Sequence, residues 1–127
     1  MIRKLDHLVI TTADMGACLA FYEKLGFRSA PAQGRWELFA GDFKINVHLL
    51  GRELEPHAGQ VCAGSADLCF QLDGGLEAFV EKLEQAGVPT LSGIVPRHGA
   101  RGAMRSVYVR DPDGNLLEFC SYAPPRT

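Results

Sequence analysis

Four residues of this 127-residue chain, His7, His48, Asp67 and Glu118, could act together as nitrogen and oxygen donors to a divalent cation. Two carboxylates bring the negative charge that such an ion neutralises, and two neutral imidazoles bring nitrogen lone pairs. No thiolate belongs to the set, so Mn²⁺, Ni²⁺, Fe²⁺, Mg²⁺ or Zn²⁺ would suit it, and affinity alone does not choose among them. A tetrahedral ion holding all four would be closed, whereas an octahedral one keeps open positions for two adjacent oxygens of a substrate. A single polar residue on a strand face is ordinary solvated surface. It is the recurrence of these four at corresponding places in a repeat that points to a site.

The repeat is visible in the punctuation of the chain. Residues 5–12 alternate and are rich in strand formers. Asp14 can cap a helix over residues 15–25, with Leu19, Phe21, Tyr22 and Leu25 on one face and Gly26 as its stop. Extended segments follow near residues 27–30, 35–39 and 43–50, parted by Pro31, Gly34 and Gly41-Asp42. After a loop over residues 51–64 the order returns: an alternating segment at 67–72, then a helix at 76–86 opened by Gly74-Gly75 and stopped at Gly87. Strands are expected near 89–91, 105–110 and 116–122. Ala20-Phe21-Tyr22-Glu23-Lys24-Leu25 and Ala78-Phe79-Val80-Glu81-Lys82-Leu83 differ at a single position. Order and letters together indicate internal duplication.

Strand alternation then sorts the donors. Ile45, Val47 and Leu49 oppose Lys44, Asn46 and His48; Leu68, Phe70 and Leu72 oppose Asp67, Cys69 and Gln71. Leu117 and Phe119 oppose Leu116, Glu118 and Cys120, and Leu8 and Ile10 oppose His7, Val9 and Thr11. Each donor thus leaves the apolar face of the first or last strand of a half. Equivalent positions in a duplicated fold converge, which predicts His7 with Asp67 and His48 with Glu118. The expected architecture is α+β and a single domain over residues 1–127. In it two paired βαβββ modules (3–50 and 65–122, linker 51–64) form a curved mixed sheet around a cleft, and Asp111-Pro112-Asp113-Gly114-Asn115 supplies a tight turn before Glu118.

Composition narrows the function classes. Thirteen Lys and Arg against fifteen Asp and Glu give a formal charge of −2, too little positive field to hold a phosphate backbone, so nucleic acid is not an expected partner. No apolar run approaches the roughly 18 residues of a membrane span, and the N-terminus has no signal-type apolar core, so a cytoplasmic protein without a membrane partner is expected. Cys18, Cys62, Cys69 and Cys120 form no C-x-x-C pair and read as reduced thiols.

Several stretches resemble one family over nearly the whole chain: Ile2-Arg3-Lys4-Leu5-Asp6-His7-Leu8-Val9, Asn46-Val47-His48 running on to Glu55-Pro56, Gly64-Ser65-Ala66-Asp67-Leu68, and Val95-Pro96-Arg97 through Asp111-Pro112-Asp113-Gly114-Asn115-Leu116-Leu117-Glu118. They are similar to the vicinal oxygen chelate superfamily of glyoxalases, fosfomycin- and bleomycin-resistance proteins and extradiol dioxygenases, and within it to the glyoxalase domain-containing subgroup with small bacterial members. By that resemblance His7 and Glu118 match the first and last metal ligands, and Glu118 is the base that moves a proton. Asp67 stands where a His is usual, and His48 where an acidic or amide residue is common in glyoxalases. The usual His, His, Glu order of the dioxygenases is therefore absent. The resemblance also implies a homodimer, and the linker is long enough for modules to pair within a chain or between two.

The chemistry implied is Lewis-acid stabilisation of an enediolate by a metal-dependent glyoxalase-like lyase or isomerase acting on a small oxygenated substrate. Asp67 is the alternative base. Two other readings remain open at this level: an extradiol-type dioxygenase using His7, His48 and Glu118, and a non-catalytic ligand-binding protein of the bleomycin-resistance kind. Arg97, His98, Arg101 and Arg105 are expected in a glycine-rich loop that could close over a cleft, Arg97 and Arg101 holding a substrate carboxylate. Cys69 and Cys120 are expected beside the ligands as pocket lining. Trp36 and Phe39 are expected as cavity wall or core, and His57 has no assigned role.

Overall fold

The computed structural model describes residues 1–122. It divides into two compact units, one of residues 1–66 with Asp111–Gly114, the other of residues 67–110 with those described from Asn115 on.

In the first unit β1 (His7–Thr12) leads into α1 (Met15–Lys24), then β2 (Arg28–Ala32), β3 (Arg35–Ala40) and β4 (Phe43–Leu49). The sheet order is β1-β4-β3-β2, with β1 parallel to β4 and the other pairs antiparallel. Helix α1 starts where the sequence says it should: the Ala17 N–H donates to Asp14 Oδ1 at 3.1 Å, and Gly26, at φ 105°, turns the chain out of the helix. Its buried stripe is Cys18 and Tyr22, one helical turn apart, while Phe21 is only half-buried. Tyr22 stacks edge-on against Phe27 at 5.5 Å, and Leu38, Ile45 and Val47 complete the core beneath the helix. Pro31, expected to break the chain, lies inside β2. The strand is at the sheet edge, where a missing N–H is tolerated.

The turn Asp111–Gly114 groups with this first unit, although its sequence position falls in the second repeat. The buried Tyr22 Oη donates to Asp111 Oδ2 at 2.7 Å, Thr12 Oγ1 to Asp113 Oδ2 at 2.5 Å, and the Ala13 N–H to Asp113 Oδ1 at 3.0 Å. The Asp113 N–H in turn donates to Asp111 Oδ1 at 2.9 Å, closing the aspartate turn that the Asp-Pro-Asp-Gly run predicts. Gly64 passes close by: a Cβ there would lie 2.3 Å from the Asp113 carbonyl oxygen.

The second unit repeats the pattern with β5 (Asp67–Gln71), α2 (Leu76–Gln85), β6 (Val95–Gly99), β7 (Gly102–Arg110) and β8 (Leu116–Ser121), in sheet order β5-β8-β7-β6. The same order and the same parallel first-to-last pairing establish the duplication at the level of topology. Leu76, Leu83, Val107, Val109, Leu117 and Phe119 fill the space under α2, where Phe79 packs on Phe119 at 4.6 Å between ring centres.

Three expectations for this unit fail. Residues 89–91 form no strand; they run alongside β7 with the Leu91 N–H donating to Tyr108 O at 2.9 Å. The strand is instead Val95–Gly99, overlapping the 97–102 stretch expected as a glycine-rich loop, and Gly102 already belongs to β7. Pro96 and Gly99 gave the segment a loop-like composition, but β6 is an edge strand and accommodates both. Arg105 does not join Arg97 and Arg101. It lies on the helix side of β7, its guanidinium donating twice to Glu77 in the first turn of α2, at 2.6 and 3.0 Å. Among the described residues no helix is long and apolar enough to cross a membrane.

Candidate functional site

Each sheet has one face against its helix and one face away from it, and the residues with chemistry lie on the second. In the first unit, pairing of β1 with β4 sets His7 beside Lys44, Val9 beside Asn46 and Thr11 beside His48. His7 Nδ1 is 2.8 Å from Asp6 Oδ1. With that nitrogen carrying the proton, Nε2 keeps its lone pair for a cation, and the carboxylate fixes the orientation of the ring. His48 is buried at 6% exposure; burial first, then the nearby Arg35, pushes its pKa below the ordinary histidine value. It is a neutral imidazole at pH 7.

His7 and His48 do not share a site. They face the same way, but the parallel register separates them by four residues along the strands, about 13 Å. The residue diagonal to His7 is Asn46, which is buried at 3% exposure with an Oδ1 that meets no hydrogen-bond donor.

In the second unit, β5 and β8 pair Asp67 with Leu116 and Cys69 with Glu118. Glu118 is therefore diagonal to Asp67 across the ladder. Ser106, fully buried on β7, donates from Oγ to Glu118 Oε2 at 2.6 Å and fixes the carboxylate. The two cysteines expected beside the donors are there: the Cys69 thiol is pushed up to about 12 by desolvation, then by Cys120 and Glu118 beside it, and stays protonated. Arg97 lies on β6 with its Nε donating to Tyr108 Oη at 2.9 Å and its guanidinium over the same ring. Arg101, in the hairpin that follows, has its guanidinium 4.4 Å from the Tyr122 ring centre. A Cβ at Gly99 would meet Tyr122 Oη at 2.0 Å and Met104 Sδ at 2.6 Å, so only glycine lets this tyrosine close over the strand.

Superposing the two registers corrects the sequence expectation by two residues. His7 corresponds to Asp67, as expected, but Asn46 corresponds to Glu118, and His48 corresponds to Cys120. Alternation reveals which face a residue is on and leaves the register open, since a slip of two keeps the face. The missed signal was in the sequence: Asn46 is the other polar residue on the same face of the same segment. Among the described residues no three His, Cys, Asp or Glu side chains gather as one ion would require. Each unit instead offers a pair, a nitrogen and an amide oxygen from His7 and Asn46, and two carboxylates from Asp67 and Glu118. These are hard and borderline donors that suit a divalent ion, and the unmet Asn46 Oδ1 fits a cation as its partner.

The Glyoxalase/Bleomycin resistance protein/Dioxygenase superfamily model matches residues 4–119. The chain belongs to this superfamily. Its sequence is similar to the glyoxalase domain-containing protein RDO1 of Mycosarcoma maydis, 44% identical over 95% of this chain and 69% of the relative. It is also similar to the virulence protein STM3117 of Salmonella typhimurium, 43% identical over 96% of this chain and 86% of that protein. A solved structure from the mobile metagenome of V. Pseudocholerae is 48% identical, covers 98% of both chains and superposes with a TM-score of 0.94. The expected superfamily and its βαβββ modules are thus both established. As a member of the superfamily, this chain carries its polar residues on the first and last strands of both modules, with an amide at the fourth strand position.

Proposed function

We propose that this protein is a divalent-metal-dependent lyase or isomerase of the glyoxalase kind, acting on a small substrate with oxygens on adjacent carbons. The carrying observation is the matched pair of donors, His7 with Asn46 and Asp67 with Glu118, at the same register in two copies of one fold. In each unit the pair supplies donors that would hold Mn²⁺, Ni²⁺, Fe²⁺, Mg²⁺ or Zn²⁺, with His48 as a neighbour of the first pair. When bound, the metal supplies Lewis-acid charge to a substrate oxygen as negative charge develops on it.

The chain's own residues do the rest. Glu118 takes the proton from the carbon beside the substrate carbonyl and returns it to the neighbouring carbon. Ser106 aims that carboxylate through its 2.6 Å hydrogen bond. Asp6 keeps the His7 ring oriented through their 2.8 Å contact. Cys69, its thiol protonated, and Cys120 line the face beside Glu118 as walls to substrate, and Arg97 and Arg101 are the cations that the second unit offers to a substrate anion. A homodimer working in the cytoplasm belongs to the same reading.

The test is proton exchange. Protein loaded in turn with each metal is incubated without oxygen in D₂O with an α-hydroxyaldehyde or α-hydroxyketone, and deuterium at the carbon beside the carbonyl is followed by NMR. Metal-dependent exchange that disappears in Glu118→Gln is expected. Oxygen consumption with a catechol and no exchange would replace this reading with ring cleavage, and ligand binding without either activity would leave a binding protein.

A further inference from the structure

One carboxylate on the helix-free face of the first unit holds two cations. Glu37 Oε2 accepts from Lys44 Nζ at 2.5 Å and from Arg35 Nη2 at 2.8 Å, so the cluster keeps one net positive charge. The pairing leaves both cations in place and unfinished: Arg35 Nε is buried without an acceptor. Glu37 is the register partner of Asn46, whose Oδ1 is buried without a donor. An unmet donor and an unmet acceptor thus share one face, and buried polar atoms in folded proteins are rarely left so. Access remains, because 29% of the Arg35 side chain and 24% of the Lys44 side chain are exposed. The third atom of this kind, Arg105 Nε, belongs to a guanidinium already spent on both oxygens of Glu77.

We propose that this face is a subsite for a small 2-hydroxycarboxylate, with the carboxylate taken by Arg35 and Lys44 and the hydroxyl donating to Asn46 Oδ1. A planar carboxylate matches the fork of a guanidinium, and the hydroxyl beside it donates to one of the two lone pairs of the amide oxygen, the other remaining for a cation. One net positive charge matches a monoanion, whereas a phosphate dianion would leave charge over. The proposal goes beyond the functional reading: it adds to the first unit an anchor for a carboxylate, Arg35 and Lys44, separate from the arginines of the second unit.

The experiment is calorimetric or NMR titration of the full chain in excess EDTA with lactate, glycolate, acetate, glycolaldehyde and inorganic phosphate. Saturable binding of lactate and glycolate is expected, with acetate several-fold weaker and glycolaldehyde without saturation. Arg35→Gln and Lys44→Gln should each weaken lactate and acetate together by about tenfold or more. In EDTA, Asn46→Ala should remove the advantage of lactate over acetate and leave acetate binding unchanged. Arg28→Gln removes a positive charge from the same sheet, where it stacks over Phe39, and should leave binding within about twofold. Circular dichroism of each variant guards against unfolding, and Lys44→Gln stands in should Arg35→Gln fail to fold. No saturable binding of any hydroxy acid, phosphate binding tighter than lactate, or equal losses in Arg28→Gln and Arg35→Gln would overturn the proposal. Binding in EDTA with no proton exchange in any metal-loaded protein would keep the subsite and remove the functional reading; exchange without such binding would do the reverse.

Discussion

Asn46 on β4 holds the register position that Glu118 holds on β8. The first is diagonal to His7, the second to Asp67, and both lie on the sheet face turned away from a helix. The two repeats carry a polar atom at each of these positions, an amide in the first and a carboxylate in the second. Glu118 has a hydrogen-bond donor in Ser106, whereas the amide oxygen of Asn46 has none. The two repeats therefore differ in what they still need, and the first is the one left open to a ligand.

Ser106→Ala tests whether the support of Glu118 matters. Removing the hydroxyl takes away the 2.6 Å hydrogen bond and only one small group from a fully buried position. Loss of such an outer partner costs about 10-fold to 100-fold in metal affinity or activity. A metal titration should show that loss while circular dichroism stays unchanged, and an unchanged affinity would deny the carboxylate its metal.

Gly64 and Gly51 separate a clash from a mere conformational cost. Both have positive φ, 87° and 88°, but a Cβ at Gly64 would lie 2.3 Å from the Asp113 carbonyl oxygen while one at Gly51 meets nothing within 4 Å. Gly51→Ala should cost about 1–2 kcal/mol, the strain of the left-handed backbone alone. Gly64→Ala should cost clearly more, because backbone must move, and urea unfolding of the two variants reads the difference.

The Glu77–Arg105 pair sets an acid limb. Arg105 first, then backbone hydrogen bonding, brings the Glu77 carboxyl from its ordinary value of 4.5 to about 2. Because the folded value is depressed, the unfolded chain binds more protons between these two values, and the stability from this pair is lost as pH falls from about 4.5 to 2. Glu77→Gln should therefore be less stable than the parent at pH 7, and the gap should close by the bottom of that window. The pair is exposed, so the gap should also shrink in high salt.

Much of this was legible in the sequence. The two βαβββ repeats, both helix stops at glycine, and the faces of His7, Asp67 and Glu118 follow from period and punctuation, which depend on local backbone preferences. Register does not, and that is why His48 was matched to Glu118 when Asn46 is its counterpart. Edge strands were equally opaque. Pro31 in β2 and Pro96 in β6 look like breakers, and only the pairing partner shows that the missing N–H is tolerated. The grouping of Asp111–Gly114 with the first unit rests on Thr12 and Tyr22, about a hundred residues away in the chain, which no local pattern could announce.

On the proposed function, His7, Asn46, Asp67 and Glu118 take divalent metal and His48 does not. Metal content by mass spectrometry on untagged protein, before and after chelation and reloading, tests it in wild type, His7→Ala, Asn46→Ala, His48→Ala and Glu118→Ala. Near-stoichiometric divalent metal is expected in wild type and His48→Ala, with strong loss in the other three. No uptake by wild type from Mn²⁺, Ni²⁺, Fe²⁺, Mg²⁺ or Zn²⁺, or loss in His48→Ala with retention in Asn46→Ala, would contradict it.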